Sequence, residues 1–170
     1  MSTKPFWLLI VCLVVASGSA LATCNNAIPR STPDAAFIIH NDGTVTHIAT
    51  GLMWMRCVLG QTLSGTVCGG STMTYIWQDA LQAADSYTFA GYTDWRLPNK
   101  SELASIVEWA CNDPAINTVA FPNDPNGLVL SSSPYADNSN SAWTVLFFNG
   151  SFVNYGKPSS GNVRLVRGGQ

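Results

Sequence analysis

Charged side chains are scarce in this 170-residue chain: Asp, Glu, Lys and Arg make up 11% of it, with 8 basic residues against 10 acidic ones. A nucleic-acid partner calls for a basic face, and this balance excludes one. Histidine is nearly absent, with 2 in the chain, and no two cysteines stand at C-x-x-C spacing. A zinc site therefore has no ligand set to draw on. The G-x-S-x-G and H-E-x-x-H signatures are missing too, which removes the familiar hydrolase and metalloprotease readings. No repeat at solenoid or propeller spacing occurs. The main apolar run, residues 6–15, is shorter than the roughly 20 residues a membrane-spanning helix needs.

That run is instead the h-region of a signal peptide, with Lys4 before it and the small-residue site Ala20-Leu21-Ala22 after it. Cleavage after Ala22 is expected, leaving residues 23–170 as a single exported domain in the periplasm, on the cell surface or outside the cell. Leu21-Ala22-Thr23-Cys24 also resembles a lipobox, so lipid attachment at Cys24 is the alternative. Loss of Lys4, one of the 8 basic residues, sets 7 against 10 acidic ones and gives a mature charge of −3. No membrane span remains after cleavage.

Export changes the meaning of cysteine. Cys12 leaves with the signal, and Cys24, Cys57, Cys68 and Cys111 form an even set suited to disulfides in an oxidising compartment. The favoured pairing is Cys57–Cys68, closing a Gly-rich excursion, and Cys24–Cys111, pinning the N-terminal segment to the end of a helix; four cysteines allow two other connectivities as well.

Asn41-Asp42-Gly43 between alternating apolar residues predicts a hairpin of strands at 36–40 and 44–48, with a further strand at 52–56. His40 and His47 read as surface strand residues. Trp77, Ala80, Leu81 and Ala84 fall at helical spacing after Thr74, a plausible N-cap. A second helix starts at Asn99, whose spacing to Glu102 is that of a capping box, with Leu103, Ile106, Val107 and Ala110 as its apolar stripe and Asn112-Asp113-Pro114 as its stop. Residues 114–140 read as a long loop with a short strand at 128–132, and Asn149-Gly150 as the turn of a second hairpin.

The stretch GYTDWRLPNKSEL, residues 91–103, has the residue types of a catalytic site but reads as architecture. Asp94 and Arg96 point to one side of an extended segment and Trp95 to the other. Trp95 then fills the core while Arg96 serves an ion pair. Pro98 keeps the chain extended, and Asn99 and Glu102 cap the helix.

Together with TGLMW at 50–54, AINTVAFPN at 115–123 and VRLVRGG at 163–169, this stretch resembles the Lcl C-terminal domain family of bacterial exported domains. RLPNKSEL is also similar to a signature of formylglycine-generating enzymes. The resemblance implies an α+β, C-type-lectin-like fold, with a twisted antiparallel sheet, two helices and long loops, stabilised here by disulfides. It also implies a non-enzymatic surface domain that binds glycans, sulfated polysaccharide among them, or a surface protein in adhesion. A formylglycine-generating-type oxidase and a structural subunit of a surface assembly are the alternatives; the oxidase uses paired reactive cysteines in a context this sequence lacks.

The expected ligand-binding residues come from the loops: Asp124, Asn126, Tyr135, Asp137, Asn138, Tyr155 and Lys157. Tyr155 and Trp143 offer stacking faces, although Trp143 opens an alternating strand and reads as core. Asp124, Asn126 and Asp137 carry oxygens of the kind calcium takes, without a complete motif, so no cofactor is expected. Lys157, Arg164 and Arg167 are the one basic cluster, with the two arginines on opposite strand faces.

Overall fold

A computed structural model describes residues 22–168. The expected signal peptide, apart from Ala22, lies outside the described residues. In chain order the elements are β1 (Thr23–Cys24), a 3-10 turn (Asp34–Ala36), β2 (Phe37–Ile39), β3 (Thr44–His47), β4 (Leu52–Met55), β5 (Thr62–Ser64), β6 (Val67–Gly69) and β7 (Thr74–Tyr75). They continue with α1 (Trp77–Asp85), α2 (Lys100–Ser105), β8 (Cys111–Asn112), β9 (Leu128–Pro134), β10 (Ser141–Leu146), β11 (Ser151–Gly156), β12 (Gly161–Asn162) and β13 (Val166–Arg167). The protein is a mixed α+β domain, mostly sheet.

The strands form two principal sheets rather than the single antiparallel sheet expected: one of order β11-β10-β9-β12-β7 and one of order β13-β4-β3-β2. Within the first, β12 runs parallel to β9. Smaller pairs, β1 with β8 and β5 with β6, carry Cys24, Cys111 and Cys68, while Cys57 lies just after β4. Cys24 is bonded to Cys111 and Cys57 to Cys68, the pairing favoured from the sequence. Cys111 sits in a strand, however, not at the end of a helix.

The five-stranded sheet separates two apolar clusters. Val129 and Val145 meet Leu103, Ile106 and Val107 from α2 and the turn after it, together with Trp54 and Phe121. Leu130 faces the other way, toward Ala80 and Ala84 of α1 and toward Trp95, Leu97, Val163 and Leu165. Adjacent residues of β9 thus point into different cores, as strand alternation requires.

Several local expectations give way to tertiary contacts. Thr74 does not cap α1, because it lies in β7 and pairs with Asn162. The helix starts instead where the Trp77 N–H finds the Lys157 carbonyl at 3.0 Å. α2 ends at Ser105 although its apolar stripe runs on; the chain turns there so that Val107 can bridge to Ile116. Glu108 is then drawn inward, accepting from Ser31 N–H at 3.0 Å and Thr32 N–H at 2.8 Å. His47 is buried, with its ring 5.1 Å from that of Phe37. Its place on β3 two residues from buried Val45 puts it on the inner side of the sheet. β9, predicted as a short strand in a loop, is seven residues long and central to its sheet.

Candidate functional site: an aromatic and lysine rim

The family-like segments meet inside the protein. Arg96 forms a backbone bridge to Val166, donating to its carbonyl at 2.9 Å and accepting at 3.0 Å, and Trp54 pairs with Val166 from the other side. The Arg96 guanidinium grips Glu102 with both forks, at 2.7 and 2.8 Å, and reaches the Gly168 carbonyl at 2.9 Å. Asp94 is not its partner: it holds Arg167 instead, at 2.7 Å. The C-terminal strand comes between them, and sequence spacing could not reveal it. Both carboxyls lie below their usual range. At Glu102, burial pushes upward but is outweighed by Arg96 and the Asn99 N–H; at Asp94 the hydrogen bond from Arg167 dominates. Glu102 also closes the capping box with Asn99. Trp95 is buried and donates its indole N–H to the Phe89 carbonyl. Asp94, Arg96 and Glu102 are thus all committed to ion pairs within the fold.

Of the loop residues expected to bind ligand, the structure removes Asp124. Its side chain is fully buried, with Oδ2 2.7 Å from Arg164 Nη2 and Oδ1 accepting the Asn126 N–H at 2.9 Å. Both oxygens are engaged within the protein. Asn126 donates its side-chain amide to Asp113. Among the described residues, no three His, Cys, Asp or Glu side chains gather as a metal site. Arg164 is likewise internal, so the basic cluster read from the sequence does not exist as a surface.

The remaining candidates lie at one end of the five-stranded sheet, around the turn between β9 and β10. Tyr135 stands edge-on to Trp143, with centroids 5.1 Å apart and planes at 90°. Trp143 is half-buried rather than core, and the pairing of β10 with β9 shifts register between Ala142 and Thr144. Lys100 places its ammonium 3.4 Å from the Trp143 ring centroid. The Lys100 backbone N–H donates to Ser133 Oγ of β9 at 3.0 Å, which anchors the start of α2 beside that ring. Trp143 lies opposite Asn154 of β11, and Phe152, two residues along β11, continues this face toward exposed Trp109 at 5.9 Å. The Tyr135 phenol is pushed up, first by its hydrogen bond with the Asp137 carboxylate, while Asn154 acts in the opposite direction.

Lys157 makes a second such pair, with its ammonium 4.3 Å from the Trp77 ring centroid. One serine of β9 ties the two pairs together: Ser131 Oγ donates to the Trp143 carbonyl at 2.6 Å, and the Ser131 carbonyl accepts from Trp77 Nε1 at 2.8 Å. The Lys157 N–H donates to the Asn140 carbonyl, which joins the turn to the same rim. Among the described residues, neither ammonium has a carboxylate within 4.0 Å.

Asn138 builds the turn, its side chain accepting from the Asn140 N–H and its carbonyl from Ser141. Asp137 is exposed beside it. Tyr155 packs toward α1 on the opposite face from Trp143. Lys100, Trp77, Phe152 and Asn154 were missing from the sequence-derived set. Alternation in SFVNYG separates Phe152 and Asn154 from Tyr155 and could have found the first two. Lys100 and Trp77 join the rim only through packing of the helices on β9.

The fold and the rim define a disulfide-stapled α+β domain whose motifs build the interior and leave its aromatic and lysine side chains on an edge. A sequence model of the Lcl C-terminal domain matches residues 43–167, and the chain belongs to that family. A search of curated proteins finds no match.

Proposed function

We propose that this is a non-enzymatic, exported binding domain with a C-type-lectin-like fold, and that its rim holds an acidic glycan such as a sulfated polysaccharide. The carrying observation is the two ammonium groups, Lys100 and Lys157, each over an indole face and each without a carboxylate partner among the described residues. Cation–π contact fixes where the charge sits without neutralising it. An ordered positive charge beside amide and phenol donors suits sulfate or uronate groups spaced along a chain. Asp137 at the same turn selects against bulky anions on that side. The two disulfides fit an oxidising compartment. They also engage all the cysteines among the described residues, leaving no reduced pair there for oxidase chemistry.

Binding to heparin and to uncharged dextran, measured by calorimetry at low and moderate salt, tests this reading. Salt-sensitive binding to heparin alone is expected. The Lys100→Ala, Lys157→Ala double variant should bind about tenfold or more weakly, at roughly 1 kcal/mol per lysine. Equal binding of dextran, or undiminished heparin binding by the double variant, would overturn the assignment.

A further inference from the structure

We propose that Arg56 is the floor of a separate binding site, which takes a carboxylate bearing a branched apolar group. Arg56 follows β4 and is 6% exposed. Its Nε donates to the Ala120 carbonyl at 3.0 Å and its Nη2 to the Val119 carbonyl at 2.9 Å. Nη1 has no protein acceptor among the described residues. Arg96, Arg164 and Arg167 each hold a carboxylate. Arg56 is buried without one, and burial alone pulls its pKa below the ordinary arginine value.

This guanidinium lines a pocket of about 580 Å³ whose other walls include Ile39, His40, Leu63, Thr118 and Val119. Ile39 and Val119 are 43% and 51% exposed, so hydrocarbon faces water around a buried cation. A guanidinium edge offers donors in the plane a carboxylate prefers, and the aliphatic wall favours a branched substituent over water. A bare sulfate gains nothing from that wall. The pocket lies apart from Lys100 and Lys157, none of whose neighbours line it.

A peptide C-terminus and a free organic acid share this chemistry. Amide NMR of the folded domain, titrated with N-acetyl-leucine, N-acetyl-leucinamide, isocaproate and sodium sulfate, distinguishes them. Both acids should give saturable shifts at His40, Leu63 and Val119, and the amide and sulfate none. Tighter binding of N-acetyl-leucine than of isocaproate marks a peptide C-terminus; equal binding marks a free acid. Because Arg56→Gln could fail to fold, the second variant is Val119→Glu, an exposed position that brings a competing carboxylate to the mouth. Its affinity for the acids should fall about tenfold or more, while heparin binding stays unchanged. Absence of shifts with both acids, equal response to the amide or to sulfate, or unaltered binding in Val119→Glu would each refute the site.

Discussion

Replacing Asp124 by alanine should be among the most damaging single changes in this domain, although the sequence places Asp124 in a Pro- and Asn-rich loop. The carboxylate faces Arg164 at 2.7 Å, and both side chains are 0% exposed. Arg164 also donates to the Met55 and Arg56 carbonyls at 2.9 and 2.6 Å and lies 4.7 Å from the Phe121 ring centroid. Its Nε has no acceptor, and among the described residues Asp124 is the sole anion paired with a cation that cannot deprotonate. At an effective dielectric near 20, unit charges about 4 Å apart attract by about 4 kcal/mol. Removing one partner of a buried pair typically costs about 3–5 kcal/mol. Urea unfolding followed by tryptophan fluorescence should register that loss at pH 7, with a fall in melting temperature of roughly 6–20 °C for a domain of this size. Arg164→Met combined with Asp124→Leu should recover much of it, because two apolar groups leave no stranded charge. A loss below about 1 kcal/mol in Asp124→Ala, typical of an exposed pair, would refute the buried-pair account.

Other outcomes follow from the same geometry. Glu102→Ala removes both the grip on Arg96 and the capping bond to the Asn99 N–H. With Arg96 side chain 25% exposed, the cost should be about 2 kcal/mol, discounted from a fully buried pair, and an unchanged denaturation midpoint would contradict it. Glu108 is pushed up by burial, but the N–H groups of Ala110, Thr32 and Ser31 outweigh this and hold its carboxyl below the ordinary 4.5. Its contribution is complete above that value and is lost as pH falls through the lower folded-state pKa. Glu108→Gln should therefore flatten the acid limb of a stability–pH curve, and a limb of unchanged steepness counts against the assignment. Serine at both Cys57 and Cys68 opens a loop of separation 11, which should cost about 3 kcal/mol on chain-entropy grounds. Peptide mapping without reduction should recover Cys57 linked to Cys68; recovery of another pairing would overturn the connectivity.

What could be read from the sequence was whatever depends on near neighbours. The Asn41–Gly43 and Asn149–Gly150 turns mark their hairpins because the required backbone conformations are local: Gly43 has φ +87° and Gly150 φ +77°. The capping box at Asn99 and Glu102 is likewise three residues wide. The partner of Arg96 was out of view, since Asp94 is nearer in sequence than Glu102 but turns to Arg167 of β13. β9 is rich in serine, and its central place comes from pairing with β10 and β12, not from propensity. The rim was half legible. Tyr135, Asp137 and Lys157 lie there, while Asp124 proved to be interior because Arg164, 40 residues away, claims it.

The strand order bears on when the domain can form. β13, centred on Val166, completes the sheet that begins at β2, pairing across to Trp54. β12 lies between β7 and β9 and joins them. Residues 161–166 are all buried, so one short segment, distant in sequence from its partners, locks both sheets. Contacts this distant in sequence carry a loop-closure cost before any return, and they slow folding. Each sheet therefore closes only when this segment docks, which ties the two halves of the domain into one cooperative unit.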